Sequence, residues 1–232
     1  MNQLLSIVRL VLPAQVRSHL RQIHRDFVFK RAMKHFIKDP SACTQPGNKT
    51  LNDLIYGWGN ESWSALDEYL ACCIDHALNT QGPVLECGSG LSTLLLGAVA
   101  KKRGHQHWAL EHTPEWAVRV QKYLDNYQLD SVILSTKPLR DYGDFSWYDA
   151  PLEKMPANFC LVICDGPPAN TKGGRHGLVP IMKDRLTSGC VILLDDAGRT
   201  EEVEIATRWG KELNSSFKIE GISKPYIKMV VV

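Results

Sequence analysis

The chain has 232 residues, 44% apolar and 22% charged, with a net charge of +2. That length supports a full hydrophobic core in one domain plus an extension. The near-balanced charge makes no electrostatic case for nucleic acid, and no apolar run is long enough to span a bilayer. The seven cysteines are odd in number and lack metal-ligand spacing, so they read as small core residues of a reducing cytoplasm.

Residues 1–38 carry eight Lys and Arg against the single acid Asp26, leaving the remainder at −5. Within this arm Val16, Leu20, Ile23 and Phe27 recur at helical spacing, which predicts an amphipathic helix. Its stripe suits packing on the body or on a second copy in a homodimer. Alternatively, with its basic neighbours, it suits peripheral contact with an anionic membrane. Arg9 and Pro13 interrupt the apolar start, against a signal peptide. A polar loop, Asp39 to Asn52, then divides an extension (1–52) from the main domain (53–232). Beyond it, a turn at Gly57-Trp58-Gly59-Asn60 leads to a helix with apolar Leu66, Leu70, Cys73 and Leu78.

Residues 83–102 read as strand, glycine turn and helix, with Val84 and Leu85 before Glu86 and then Gly88-Ser89-Gly90. Such a turn lets a backbone pass close to a ligand, and the following helix offers free N–H groups. Glu86, just before the first glycine, would repel a pyrophosphate but suits an ammonium or hydroxyls. The turn therefore fits S-adenosylmethionine (SAM) better than a nicotinamide dinucleotide. A second strand, 107–111, ends at Glu111, which lies 23 residues after Gly88 and sits where doubly wound folds hold ribose hydroxyls. Thr113-Pro114-Glu115 opens the next helix, 114–127, so Glu111 also suits a helix-start role.

Strands at 131–135, 159–166 and 189–196 follow, with helices at 176–187 and 200–213 and two closing β segments joined by Ser223-Lys224-Pro225. This alternation predicts a doubly wound, Rossmann-like α/β sheet. The carboxyl ends of its strands carry Glu86, Glu111, Asp165, Asp195 and Asp196. Clustered carboxylates repel unless protonated or sharing a cation, and an all-oxygen set favours Mg²⁺, Ca²⁺ or Mn²⁺. A metal holding a substrate hydroxyl would lower its pKa. The aromatics Tyr56, Trp58, Trp63, Trp147 and Tyr148 suit an acceptor pocket or a core.

Over roughly residues 50–232 the chain resembles the class I SAM-dependent methyltransferases. It is especially similar to a bacterial group with a YGWGNESW-like segment, an ECGSGxST turn, DGPP (Asp165-Gly166-Pro167-Pro168) and an LDDAxR-x-E pattern (Leu194 to Glu201). The resemblance implies a seven-stranded sheet of order 3-2-1-4-5-7-6. It also implies SAM bound by Glu86, Gly88, Gly90 and Ser92, with Glu111 on the ribose and Leu139, in Lys137–Arg140, packing on adenine. By the same likeness, Asp165, Asp195 and Asp196 match a Mg²⁺ triad of small-molecule O-methyltransferases. The base that some of those enzymes carry two or three residues after the first Asp is replaced here by Pro167 and Pro168. His176, Lys172 or Asp165 itself would then supply it. Arg175 reads as a solvated loop residue or a contact to an acidic acceptor. The expected activity is O-methylation of a small-molecule hydroxyl on a sugar or secondary metabolite. The competing readings are a nicotinamide-dependent oxidoreductase and a non-catalytic SAM-binding adaptor docked through the arm.

Overall fold

Phe29, Ala32, Met33 and Phe36 recur every three or four residues, and they form the buried face of the first helix, α1 (Ala14–Lys38). In the computed structural model, which describes residues 13–59 and 65–232, this is not the face expected from the sequence. The Val16, Leu20, Ile23 and Phe27 stripe lies open, Phe27 being 64% exposed, so it does not pack on the body. The later half of α1 instead shares one hydrophobic core with the sheet and the helices that follow.

Helix α2 (Lys49–Trp58) starts before the expected loop has ended because Asn48 caps it, accepting from the Thr50 and Leu51 N–H groups at 2.8 and 3.2 Å. Gly57 and Trp58 are its last residues rather than a turn. A Cβ at Gly57 would fall 2.6 Å from the Phe29 Cβ, so glycine is what lets α2 cross α1 so closely. Asn60 to Ser64, and with them Trp63, lie outside the described residues, as do residues 1–12. Helix α3 (Asp67–Asn79) completes the helical lead-in.

The α/β body then runs β1 (Val84–Cys87), α4 (Leu91–Arg103), β2 (His107–Glu111), α5 (Pro114–Asn126) and β3 (Val132–Thr136). A hairpin of β4 (Leu139–Asp141) and β5 (Ser146–Tyr148) follows, which the sequence reading did not foresee. The second half comprises β6 (Phe159–Cys164), α6 (Leu178–Met182), β7 (Leu186–Leu194), α7 (Thr200–Glu212), β8 (Phe217–Glu220) and β9 (Tyr226–Val230). Helix α6 is far shorter than the expected 176–187. Its start is delayed by the turn through Gly177, and a 3₁₀ turn at Lys183–Arg185 ends it.

The main sheet has the order β3-β2-β1-β6-β7-β9-β8. Counted without the small hairpin this is the expected 3-2-1-4-5-7-6. The strands from β3 to β7 pair parallel, and β9 runs antiparallel to β7 and β8. Strands β1, β2 and most of β6 are buried along their length, as befits a sheet covered on both faces. One core packs α1 to α5 on the sheet, and a second packs the β4–β5 hairpin, α6 and α7. Among the described residues no helix is long and apolar enough to cross a membrane.

Candidate active site

Parallel strands deliver their carboxyl ends to one edge, and in open sheets that edge is the ligand crevice. Here β1 and β6 meet through two glycines. Gly88 has φ +91° and donates its N–H to Leu110 O at 2.9 Å. A Cβ on Gly166 would lie 3.0 Å from Gly88 Cα and 2.4 Å from Tyr148 Oη. The Asp165 and Gly166 N–H groups both donate to Cys87 O, at 3.0 and 2.7 Å. The glycine turn and the DGPP turn therefore form one floor. Gly90, in extended backbone at the start of α4, differs: among the described residues beyond its own chain neighbours, nothing lies within 4 Å of where its Cβ would be. That open space at a helix N-terminus is a cradle for a ligand's polar atoms.

Glu86 does not reach into this cradle. It is 1% exposed, its Oε1 accepts from Ser92 Oγ at 2.5 Å, and its Oε2 stands 2.9 Å from His107 Nε2. The two side chains expected to touch a cofactor, Glu86 and Ser92, are thus tied to each other. Glu111 closes β2 and spreads its oxygens over two elements. Oε2 accepts from Ser89 N and Oγ, at 3.2 and 2.6 Å; Oε1 accepts from the His112 and Thr113 N–H groups, at 2.7 and 2.9 Å. The helix-start role is therefore real, and Ser89 occupies the oxygen nearest the glycine turn. The chain returns past the same point, since Lys137 N donates to Glu111 O at 2.9 Å. Leu139 follows on β4 directly opposite Tyr148, whose hydroxyl abuts Gly166.

Asp165, Asp195 and Asp196 come together at the ends of β6 and β7, one carboxylate oxygen from each lying within 4.8 Å of the others. Asp196 adopts the left-handed region, φ +64°, and its N–H donates to Asp195 Oδ1 at 2.8 Å. The cluster already contains cations. Arg175, which the sequence suggested as a solvated loop residue, is 2% exposed at its centre. Its Nη2 reaches Asp165 Oδ1 at 3.0 Å and Asp196 Oδ2 at 2.8 Å, while Nη1 donates to Asp195 O at 2.8 Å. Lys224 Nζ lies 2.6 Å from Asp195 Oδ2 and 2.9 Å from Asp196 Oδ1. Arg199 Nη1 adds a contact to Asp196 Oδ2 at 2.9 Å. Buried Glu202 faces Arg175 and Arg199 at 3.6 and 3.8 Å. Glu68 of α3 fixes the turn that carries the lysine, accepting the Ile222 and Ser223 N–H groups at 3.0 and 2.8 Å.

These charges set the titration. Burial pushes Asp165 up to about 7, Asp195 and Asp196 act in the same sense, and Arg175 and Lys224 oppose them. Its side chain still keeps 29% exposure on the crevice. Burial would raise Asp196 too, but Arg175 and Lys224 hold it below the ordinary carboxylate value. Burial would also lower Lys224, and its Asp195 partner raises it instead.

His176 is corrected as a free base. Its side chain is buried, Nε2 lies 2.9 Å from Arg208 Nη2, and its ring meets Phe145 edge-on. Its carbonyl accepts from Trp209 Nε1, which commits the residue to α7. Burial first, and Arg208 second, hold its pKa below the ordinary imidazole value. Lys172 pairs with Asp141 on the hairpin at 3.4 Å. Sequence reasoning missed Lys224 and His107 altogether. Only their places, in the closing turn and opposite the glycine strand, could have pointed to them.

The fold, a Rossmann-like seven-stranded α/β sheet, is shared with solved methyltransferase structures of low sequence identity. A methyltransferase from Podospora anserina, bound to S-adenosylhomocysteine, superposes with a TM-score of 0.59 at 13% identity, over 96% of this chain and 98% of its own. The Geobacter metallireducens precorrin-6y C5,15-methyltransferase gives 0.54 at 14% identity, over 73% and 90%. An O-methyltransferase from Bacillus cereus, also with S-adenosylhomocysteine, gives 0.53 at 14% identity, over 81% and 92%. Neither a protein-family model nor a curated protein sequence matches the chain.

Proposed function

We propose that the chain is a SAM-dependent methyltransferase acting on an oxygen of a small molecule. The observation that carries this reading is the contact between the cofactor-type turn and the carboxylate cluster: Gly88 and the Asp165-Gly166 backbone are packed against each other. A ligand lying on the glycines thus has Asp165 beside it. When bound, SAM supplies a methyl group made electrophilic by its positively charged sulfur.

The remaining roles belong to the chain. The Gly90 cradle and the first turn of α4 receive polar atoms of the cofactor. Glu111 accepts from the ribose hydroxyls in place of Ser89 Oγ, and Leu139 offers the base an apolar wall beside Tyr148. Glu86 acts one step removed, holding Ser92 and so the start of α4. Asp165 takes the hydroxyl proton of the acceptor; a carboxyl pushed up to about 7 is matched to that task near neutral pH. The acceptor is a sugar or secondary-metabolite hydroxyl. The open α1 stripe, next to Arg17, Arg21 and Lys30, docks the protein on a second copy or an anionic membrane.

Calorimetric titration with SAM tests the reading, using the wild type and Glu111→Ala. We expect micromolar binding by the wild type and a loss of about tenfold or more, some 1.4 kcal/mol, in the variant. Absence of binding by the wild type, with heat on titrating NAD⁺, would replace methyl transfer by nicotinamide chemistry.

A further inference from the structure

We infer that Arg175 and Lys224 are the built-in cations of the Asp165–Asp195–Asp196 cluster, and that a divalent ion has no place there. By ligand type alone the cluster suits Mg²⁺, which demands near-octahedral oxygen coordination at about 2.0–2.1 Å. The occupancy of those oxygens says otherwise. Asp195 Oδ1 accepts its neighbour's N–H, and its Oδ2 holds Lys224. Asp196 Oδ1 also holds Lys224, and its Oδ2 is shared by Arg175 and Arg199. Asp165 Oδ1 is on Arg175.

Arg175 is not a side chain that swings aside. Its two terminal nitrogens donate to the main-chain oxygens of Asp195 and Asp165, at 2.8 and 2.7 Å, and the side chain is 3% exposed. Expelling it would also strip Glu202 of the nearer of its Arg175 and Arg199 partners, and the buried oxygens of Glu202 have no hydrogen bond among the described residues. Leaving a buried carboxylate without its countercharge is strongly destabilising. Lys224 is the more accessible cation, 28% exposed. An ammonium has three donors, and two of them serve Asp195 and Asp196. The third is available to an acceptor oxygen, the contact a metal would otherwise make; only this last step rests on the methyl-transfer reading.

The test is a titration of the full chain with Mn²⁺, an oxygen-seeking ion whose free form gives an electron paramagnetic resonance signal. The wild type is expected to leave that signal unquenched into the millimolar range. Lys224→Met, which frees one oxygen on each of Asp195 and Asp196, is expected to bind one ion at least about tenfold more tightly. Micromolar binding by the wild type, abolished in Asp195→Asn, would overturn the inference even if Lys224→Met fails to fold. A folded Lys224→Met that gains no ion would also overturn it. SAM calorimetry on the same wild-type sample separates the two readings. Loss of SAM binding with the Mn²⁺ result intact would remove the methyltransferase reading and leave the cation assignment standing.

Discussion

Glu86 Oε2 and His107 Nε2 stand 2.9 Å apart between the first two strands, with 1% and 0% of their side chains exposed. The register places His107 beside Val84 at the far end of β1, so the imidazole reaches along the strand to meet the carboxylate from beneath the glycine turn. Replacing it with an apolar ring would leave Glu86 Oε2 buried with no polar neighbour. His107→Phe is therefore expected to cost about 3 kcal/mol in urea unfolding. Adding Glu86→Gln should recover part of it. A His107→Phe protein as stable as the wild type would show that Ser92 alone supports the carboxylate.

Gly166 gives a second, steric prediction. An added methyl would meet Tyr148 Oη at 2.4 Å and the Gly88 backbone at 3.0 Å. Gly166→Ala should destabilise by about 1–3 kcal/mol through overpacking. Among the described residues the buried Tyr148 hydroxyl has no hydrogen bond, so Tyr148→Phe should be nearly neutral alone and should rescue Gly166→Ala in part. Thermal unfolding of the three variants reads this directly, and an absence of rescue would place the clash on Gly88.

Asp165 makes stability depend on pH in a known direction. Its carboxyl is raised from 3.8 to about 7 in the folded chain, so the folded state holds more protons than the unfolded state between those values. Its contribution is fully present below the unfolded value and is lost as pH rises towards 7. Asp196, held below its ordinary value, contributes stability above that value and loses it as pH falls into the acid range. In denaturant titrations Asp165→Asn should flatten the decline between pH 4 and 7 and leave the acid limb in place. An unchanged slope would assign the decline to other groups.

The sheet was legible because its signals are local. Val84-Leu85, the apolar run ending at Cys164 and the glycine turns each mark an element without help from elsewhere, and the order followed from the resemblance. The site was legible as an inventory of acids, since strand ends are predictable places. What the acids bind was not legible. Arg175 reads as a loop arginine because nothing nearby in sequence announces that Asp196, 21 residues on, and Asp165, ten residues back, will close over it. His176 is next to it, yet points its chemistry to Arg208 on α7. The α1 stripe failed for a similar reason: periodicity finds an apolar face, and two such faces exist on one helix. Tertiary packing chose the one through Phe29 and Phe36.

The clasp of Glu68 on the 222–223 backbone sets the limits of any transplant. The turn that presents Lys224 is anchored by a helix lying before the first strand, 154 residues away in sequence. A graft beginning at Val84 would carry the whole sheet and every acid of the cluster, yet leave the lysine on an untethered turn. The smallest portable version of this site begins at α3.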